Sequence, residues 1–259
     1  MMHTLVYDGS FDGLLTAVFE SYELKYKKAT IIRSSLASEN LFDSTHSVIT
    51  DKDKSERVWT AIKKKCTSEE RTRLFKAYLS ELPEIDTTIL DYLRLVFSSE
   101  GKIDTNYAHP SVLKLSKVAK MVSREKHRMD AFVRFRLTKD NIYFATIEPD
   151  FDVLPLNLKH FRNRYADQKW IIYDVKRAYG LFYDLERVET IEITLDKNLN
   201  SHSQKAIYLT PEELQIEELW QNYFKSTNIK SRANMKLHIK HVPKRYWKYL
   251  SEKHLIKKN

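Results

Sequence analysis

The chain of 259 residues has one cysteine, four glycines and six prolines. A single Cys66 excludes a disulfide framework and a cysteine-based zinc site, and it cannot supply the ligands of an iron–sulfur cluster. No uninterrupted apolar run approaches the ~18 residues that a membrane span requires. The start, Met1-Met2-His3-Thr4-Leu5, lacks a charged segment followed by an apolar one. These absences predict a cytoplasmic protein in a reducing compartment, with no membrane partner. The length allows a real core, read as one compact unit with a mostly helical portion over 1–108, an α/β unit over 109–208 and a basic helical extension over 209–259.

Positive charge is abundant but unevenly placed. The net charge is +9, yet from Lys225 to Asn259 eleven Lys or Arg face one acid, Glu252, so the first 224 residues sum to −1. Such asymmetry fits a polyanion surface, and it also fits a solvated basic tail.

The region from Arg124 to Leu195 predicts a sheet with a helix across it. Phe132–Leu137 and Ile142–Ile147 read as a hairpin around Lys139-Asp140-Asn141, and 156–166 as a helix. Trp170–Asp174, Tyr179–Tyr183 and Val188–Leu195 read as further strands. The fold class is therefore α+β: a central, mostly antiparallel sheet with a crossing helix, a helical N-terminal portion and C-terminal basic helices.

Before that region, Thr4–Tyr7 reads as a strand, and Asp8-Gly9-Ser10-Phe11-Asp12-Gly13 as a turn into a helix capped by Asp12 or Ser10. Two of the four glycines here suggest a demanding backbone. The turn reads as an anion or metal contact at a helix start or as plain capping, and neither the phosphate-loop nor the calcium-loop pattern is met. Ile31-Ile32 and Val48-Ile49 read as short strands. Helices follow over 51–65, from the capping box Thr67-Ser68-Glu69-Glu70 to about Leu82, and over 85–97 with Gly101 as terminator. His109-Pro110-Ser111 reads as a helix start. The same tripeptide occurs in uracil-DNA glycosylases, but their water-activating loop is missing here.

Three clusters in the central region carry chemistry. Glu148, Asp150 and Asp152 are weak candidates for a divalent metal, or else a solvated turn before a helix. Arg162 and Arg164 lie on a short helix with Lys159 and His160, though the two arginines cannot share one face. Lys176 and Arg177 lie beside Tyr173 and Tyr179, as in base stacking with phosphate neutralisation, or as in a hairpin turn.

Toward the C-terminus, Thr210-Pro211-Glu212-Glu213 starts a helix through Phe224, and a basic helix spans Ile229–His241. Arg232, Lys236, Lys240, Lys244, Arg245 and Lys248 are candidates for phosphate contacts, and Tyr246 or Trp247 for stacking on an unpaired base. His238 and His241, at i, i+3, fit a metal pair or ordinary surface histidines.

The stretches YDGSFDGLLTAVFESYE, EKHRMDAFVRF, IYFATIEPDFDVLPL, HFRNRYADQKWIIYDVKRAYGLFYD and HVPKRYWKYL resemble a bacterial family of DNA metabolism or repair proteins. Members are encoded beside a radical-SAM protein, and related sequences are fused to a uracil-DNA glycosylase-like domain. The resemblance covers almost the whole chain and is weakest over 52–105; Gly180 and the segment PKRYW match the family pattern. It implies DNA as a ligand, a radical-SAM partner and a role in repair, and it supplies no catalytic residues. The leading expectation is a DNA-binding accessory or processing factor. The alternatives are a metal-dependent enzyme on DNA or nucleotides, using Glu148, Asp150 and Asp152 with His160 or Arg164, and a protein-interaction module without nucleic-acid affinity.

Overall fold

A computed structural model describes residues 3–37, 44–99, 106–193, 208–227 and 234–253. The chain packs as two compact units, Met1–Arg124 and Glu125–Asn259.

The first unit is built on strand β1, His3–Tyr7, with parallel neighbours β2, Ala29–Arg33, and β3, Ser44–Ser47, in the order β2-β1-β3. Helix α1, Phe11–Glu23, follows β1 and starts where Ser10 Oγ accepts the Gly13 N–H at 2.9 Å, so Ser10 is the cap rather than Asp12. Helices α2 (Lys52–Lys65), α3 (Ser68–Tyr78) and α4 (Ile85–Ser98) complete the unit. Leu5, Leu14, Leu15, Val18, Ile31, Ile62, Leu74 and Ile89 form its core. The α4 residue Thr87 receives the Ile31 N–H on its hydroxyl at 3.0 Å, which satisfies a backbone group of the edge strand β2.

Two sequence expectations shift here. β3 lies over Ser44–Ser47 rather than Val48-Ile49, and Ile49 is 83% exposed. A short polar strand suffices at a sheet edge, where composition is a weak guide. α3 ends at Tyr78 instead of near Leu82, because the chain turns through a left-handed Glu81 (φ 52°) before Pro83. Gly101, expected as a helix terminator, lies outside the described residues.

Helix α5 runs Pro110–Phe132, past the expected boundary of the hairpin. Its buried positions Val122, Glu125 and Met129 keep helical spacing. Phe132 continues the pattern against the Tyr246 ring at 5.4 Å. The aromatic and β-branched composition of 132–137 thus pointed to a strand where only Arg136–Leu137, β4, forms one.

The second unit carries a five-stranded sheet of β4, β5 (Tyr143–Ile147), β6 (Trp170–Asp174), β7 (Tyr179–Tyr183) and β8 (Val188–Ile191) in sequential order. Pairing is antiparallel except between β5 and β6, which are joined by helix α6, Leu154–Arg164. α6 begins two residues before the expected start, with Pro155 in its first turn, where a missing N–H costs nothing. Asn141 takes φ 59° in the hairpin turn, as an asparagine there can. Gly180 is required for another reason: a Cβ would come 2.8 Å from the Ile172 carbonyl oxygen on the neighbouring strand.

Helix α7, Pro211–Thr227, starts as expected, with Thr210 Oγ1 accepting the Glu213 N–H at 3.2 Å. Helix α8, Met235–His241, is followed by a 3₁₀ segment, Lys244–Tyr249. This end of the chain does not behave as a free tail, because Tyr246 and Leu250 are 2% and 1% exposed. The Trp247 indole N–H donates to Val242 O at 3.0 Å and holds the segment against α8.

Candidate functional site

Parallel strands carry their connecting loops at the carboxyl edge, and the one parallel pair of the second unit concentrates its polar residues there. Past β5 come Glu148, Asp150 and Asp152. Past β6 come Lys176 and Arg177, in a tight turn where Ala178 takes φ 56°. Glu125 joins from α5, and Arg245, Tyr246, Lys248 and Tyr249 from the 3₁₀ segment.

The geometry is a closed network. Asp174 is fully buried, and its carboxylate accepts from the Lys176 and Arg177 N–H groups at 2.9 and 3.3 Å and from Arg177 Nη1 at 2.7 Å. Burial raises its pKa above the ordinary aspartate range even against these partners. The Arg177 guanidinium also donates to Pro149 O at 3.2 Å and Asp150 O at 3.2 Å. Lys176 Nζ reaches Asp150 O at 2.9 Å. The loop after β6 is thereby tied to the loop after β5.

A second layer comes from the 3₁₀ segment. Arg245 Nη2 lies 2.7 Å from Asp150 Oδ2 and 3.2 Å from Glu125 Oε2. Glu125, 2% exposed in its side chain, also accepts from the Asp150 N–H at 3.0 Å, from Arg128 at 3.3 Å and from the Tyr246 hydroxyl. Glu148 pairs with Lys248 and accepts from the Tyr249 hydroxyl. Burial alone would push the Glu148 carboxyl up, but Lys248 and Tyr249 together hold it below the usual glutamate value. Tyr179 donates to Asp152 Oδ1 at 2.5 Å. Burial, reinforced by the adjacent carboxylates, pushes the phenols of Tyr179, Tyr246 and Tyr249 well above the normal tyrosine value. Each hydroxyl stands as a hydrogen-bond donor to a carboxylate.

The expected residues separate into groups. Glu148, Asp150 and Asp152 share one edge, but each carboxylate is engaged by a different partner, respectively Lys248 with Tyr249, Arg245, and Tyr179. Among the described residues no three His, Cys, Asp or Glu side chains converge as a metal site. Tyr246, expected to stack on a base, is buried with its hydroxyl on Glu125, so its ring has no open face. Trp247 is half-buried between His238, at 5.9 Å, and Lys253, at 5.6 Å. Lys176, Arg177, Arg245 and Lys248 come together, but in contact with carboxylates. Arg162 and Arg164 sit at the opposite end of α6, where Arg162 donates to Glu186 O at 3.3 Å and Arg164 lies 6.0 Å from the Tyr165 ring. They do not extend the surface around Lys176. Arg232 lies outside the described residues.

Lys236, Lys240 and Lys244 are exposed. Lys236 and Lys240 are four residues apart and share one face of α8. Between Met235 and Leu250 the chain contains no acid. Sequence reasoning missed Glu125, although one signal was available: an acid inside the apolar stripe of a helix must find buried partners.

A family profile described as DUF4130, a domain of unknown function, matches residues 83–252. No curated protein matches significantly. Among solved structures, a pGpG-specific phosphodiesterase, PggH from Vibrio cholerae, aligns with 88% of this chain and 99% of its own at 9% identity and a TM-score of 0.35. A likeness at that level carries no inference about fold or activity.

Proposed function

The chain belongs to the DUF4130 family, and from that premise we propose that it is a nucleic-acid-binding factor whose phosphate contacts come from Lys236, Lys240 and Lys244. One observation carries the reading: Lys236, Lys240 and Lys244 are exposed and form no ion pair among the described residues, whereas Arg177, Arg245 and Lys248 are compensated by carboxylates. Cations in that setting release counterions when they meet a phosphate backbone. The acid-rich network at the carboxyl edge of β5 and β6 then anchors the 3₁₀ segment that follows the lysine-bearing helix, through Arg245 and Lys248.

The resemblance to DNA metabolism and repair proteins supports DNA as the nucleic acid and a radical-SAM protein as a partner. The iron–sulfur cluster of such a pair would belong to the partner, since this chain has one cysteine.

The test is fluorescence anisotropy with single-stranded, duplex and uracil-containing DNA across a salt series. The triple substitution Lys236→Ala, Lys240→Ala, Lys244→Ala removes three phosphate contacts. It should reduce the slope of log affinity against log salt on duplex by about 2.7, at ~0.9 per phosphate. An unchanged slope and affinity would rule the reading out.

A further inference from the structure

The first unit holds a groove of about 1090 Å³ between the end of α1, the turn after it and the end of α4. Aromatic rings and cations line it: Tyr22, Tyr26 and Phe97, with Lys25, Lys27 and Arg94. Asp91 is the sole acid among its described lining residues.

The rings are placed to receive a flat group. Tyr22 is 46% exposed, although it sits beside Phe97 with centroids 6.2 Å apart. Tyr26, half-buried, is held by His3, stacked at 3.9 Å with planes 6° apart, and meets His46 edge-on at 6.5 Å. Burial raises the Tyr22 phenol above its usual value, against the pull of Arg94 nearby, so it stays neutral.

The cations are fixed as well. Arg94 donates through Nη2 to Tyr26 O at 2.6 Å and through Nη1 to Lys27 O at 3.2 Å. Carbonyl partners orient the guanidinium without neutralising it. Lys25 takes φ 55° just after α1, a position where helices favour glycine. A lysine there accepts backbone strain and sets a positive charge in the groove lining.

We propose that this groove binds an unpaired base and its flanking phosphates in a single-stranded nucleic acid, with Tyr22 and Tyr26 as ring faces and Lys25, Lys27 and Arg94 as phosphate contacts. Sequence-tolerant stacking beside a cationic track is how proteins hold single strands. The proposal extends the nucleic-acid reading above to a second surface.

The test uses the full chain, fluorescein-labelled oligothymidylate and a duplex of equal length. Tyr22→Ala should weaken oligothymidylate binding at least about fivefold, the lower bound for one lost base stack, and leave duplex binding unchanged. Lys25→Gly should relieve the left-handed strain, so the urea midpoint holds or rises, while the single-strand salt slope falls by about 0.7. Photocrosslinking with iodouridine-substituted oligonucleotide should map to Tyr22 or Tyr26. If both variants bind oligothymidylate as the parent does, or if the crosslinks fall outside the groove, the proposal is overturned. The outcome separates from that of the α8 lysines: loss in Tyr22→Ala with parental binding in the triple lysine variant would keep this groove and reject the earlier reading. The reverse pattern would do the opposite.

Discussion

Two glycines four residues apart do different work. Gly9 takes φ 91° with open space around its Cα, so it answers a backbone requirement. Gly13 answers a steric one: a Cβ there would lie 2.3 Å from Asp8 Oδ1, 2.8 Å from Thr50 Oγ1 and 2.9 Å from Ser10 Oγ. Those oxygens belong to a connected set, since Asp8 accepts from Ser10 N and Oγ at 2.9 and 2.7 Å and from Thr50 Oγ1 at 2.8 Å. Gly9→Ala should therefore cost about 1 kcal/mol, the order of a left-handed residue with a Cβ. Gly13→Ala should cost more, about 1–3 kcal/mol, as overpacking that also parts hydrogen-bonded groups. Urea denaturation of the two variants checks the order. The sequence already singled out both positions through the scarcity of glycine, but it could not separate the two causes, because only one of them depends on which side chains arrive nearby.

At the scale of elements, local capping chemistry was legible and strand register was not. Thr67 and Glu70 form the reciprocal pair that the sequence suggests: Thr67 Oγ1 accepts the Glu70 N–H at 3.2 Å, and Glu70 accepts the Thr67 N–H at 2.7 Å. Glu70 is 6% exposed and faces the Tyr92 hydroxyl at 3.4 Å, so this cap also roots α3 in the core. Thr67→Ala should destabilise the protein by about 1 kcal/mol, within the range for lost N-caps, with Thr67→Ser close to the parent; thermal denaturation reads both. The strands Trp170–Asp174 and Tyr179–Tyr183 matched expectation because charged turns bracket dense aromatic and β-branched runs. β3 was misplaced and β4 was overextended, because both are short and are defined by their partners rather than by their own composition.

For the molecule as a whole, the C-terminal segment changes meaning between sequence and structure. Charge counting marks residues 225–259 as a basic appendage, yet Tyr246 and Leu250 are buried and Glu252 meets Arg134 at 2.9 Å. Burial would raise the Glu252 carboxyl, and Arg134 outweighs it, holding the group below the ordinary glutamate value. Truncation after Phe224 should thus cost the second unit its cooperative fold, seen as lost hydrogen-exchange protection over β5 to β7, instead of trimming a tail. Protection equal to that of the full chain would contradict this.

By itself the sequence determined the α+β class, the helix caps, the central strands and the surplus of positive charge. Each follows from residues close together in the chain, through backbone preference, side-chain period or composition. Only the tertiary structure decided which charges are compensated. Arg177, Arg245 and Lys248 look like Lys236, Lys240 and Lys244 in a list of residues, but the former reach Asp174, Asp150 and Glu148 across long stretches of chain or a tight turn, and the latter meet no acid among the described residues. A Coulomb partner is set by distance in space, and distance in space is what folding supplies.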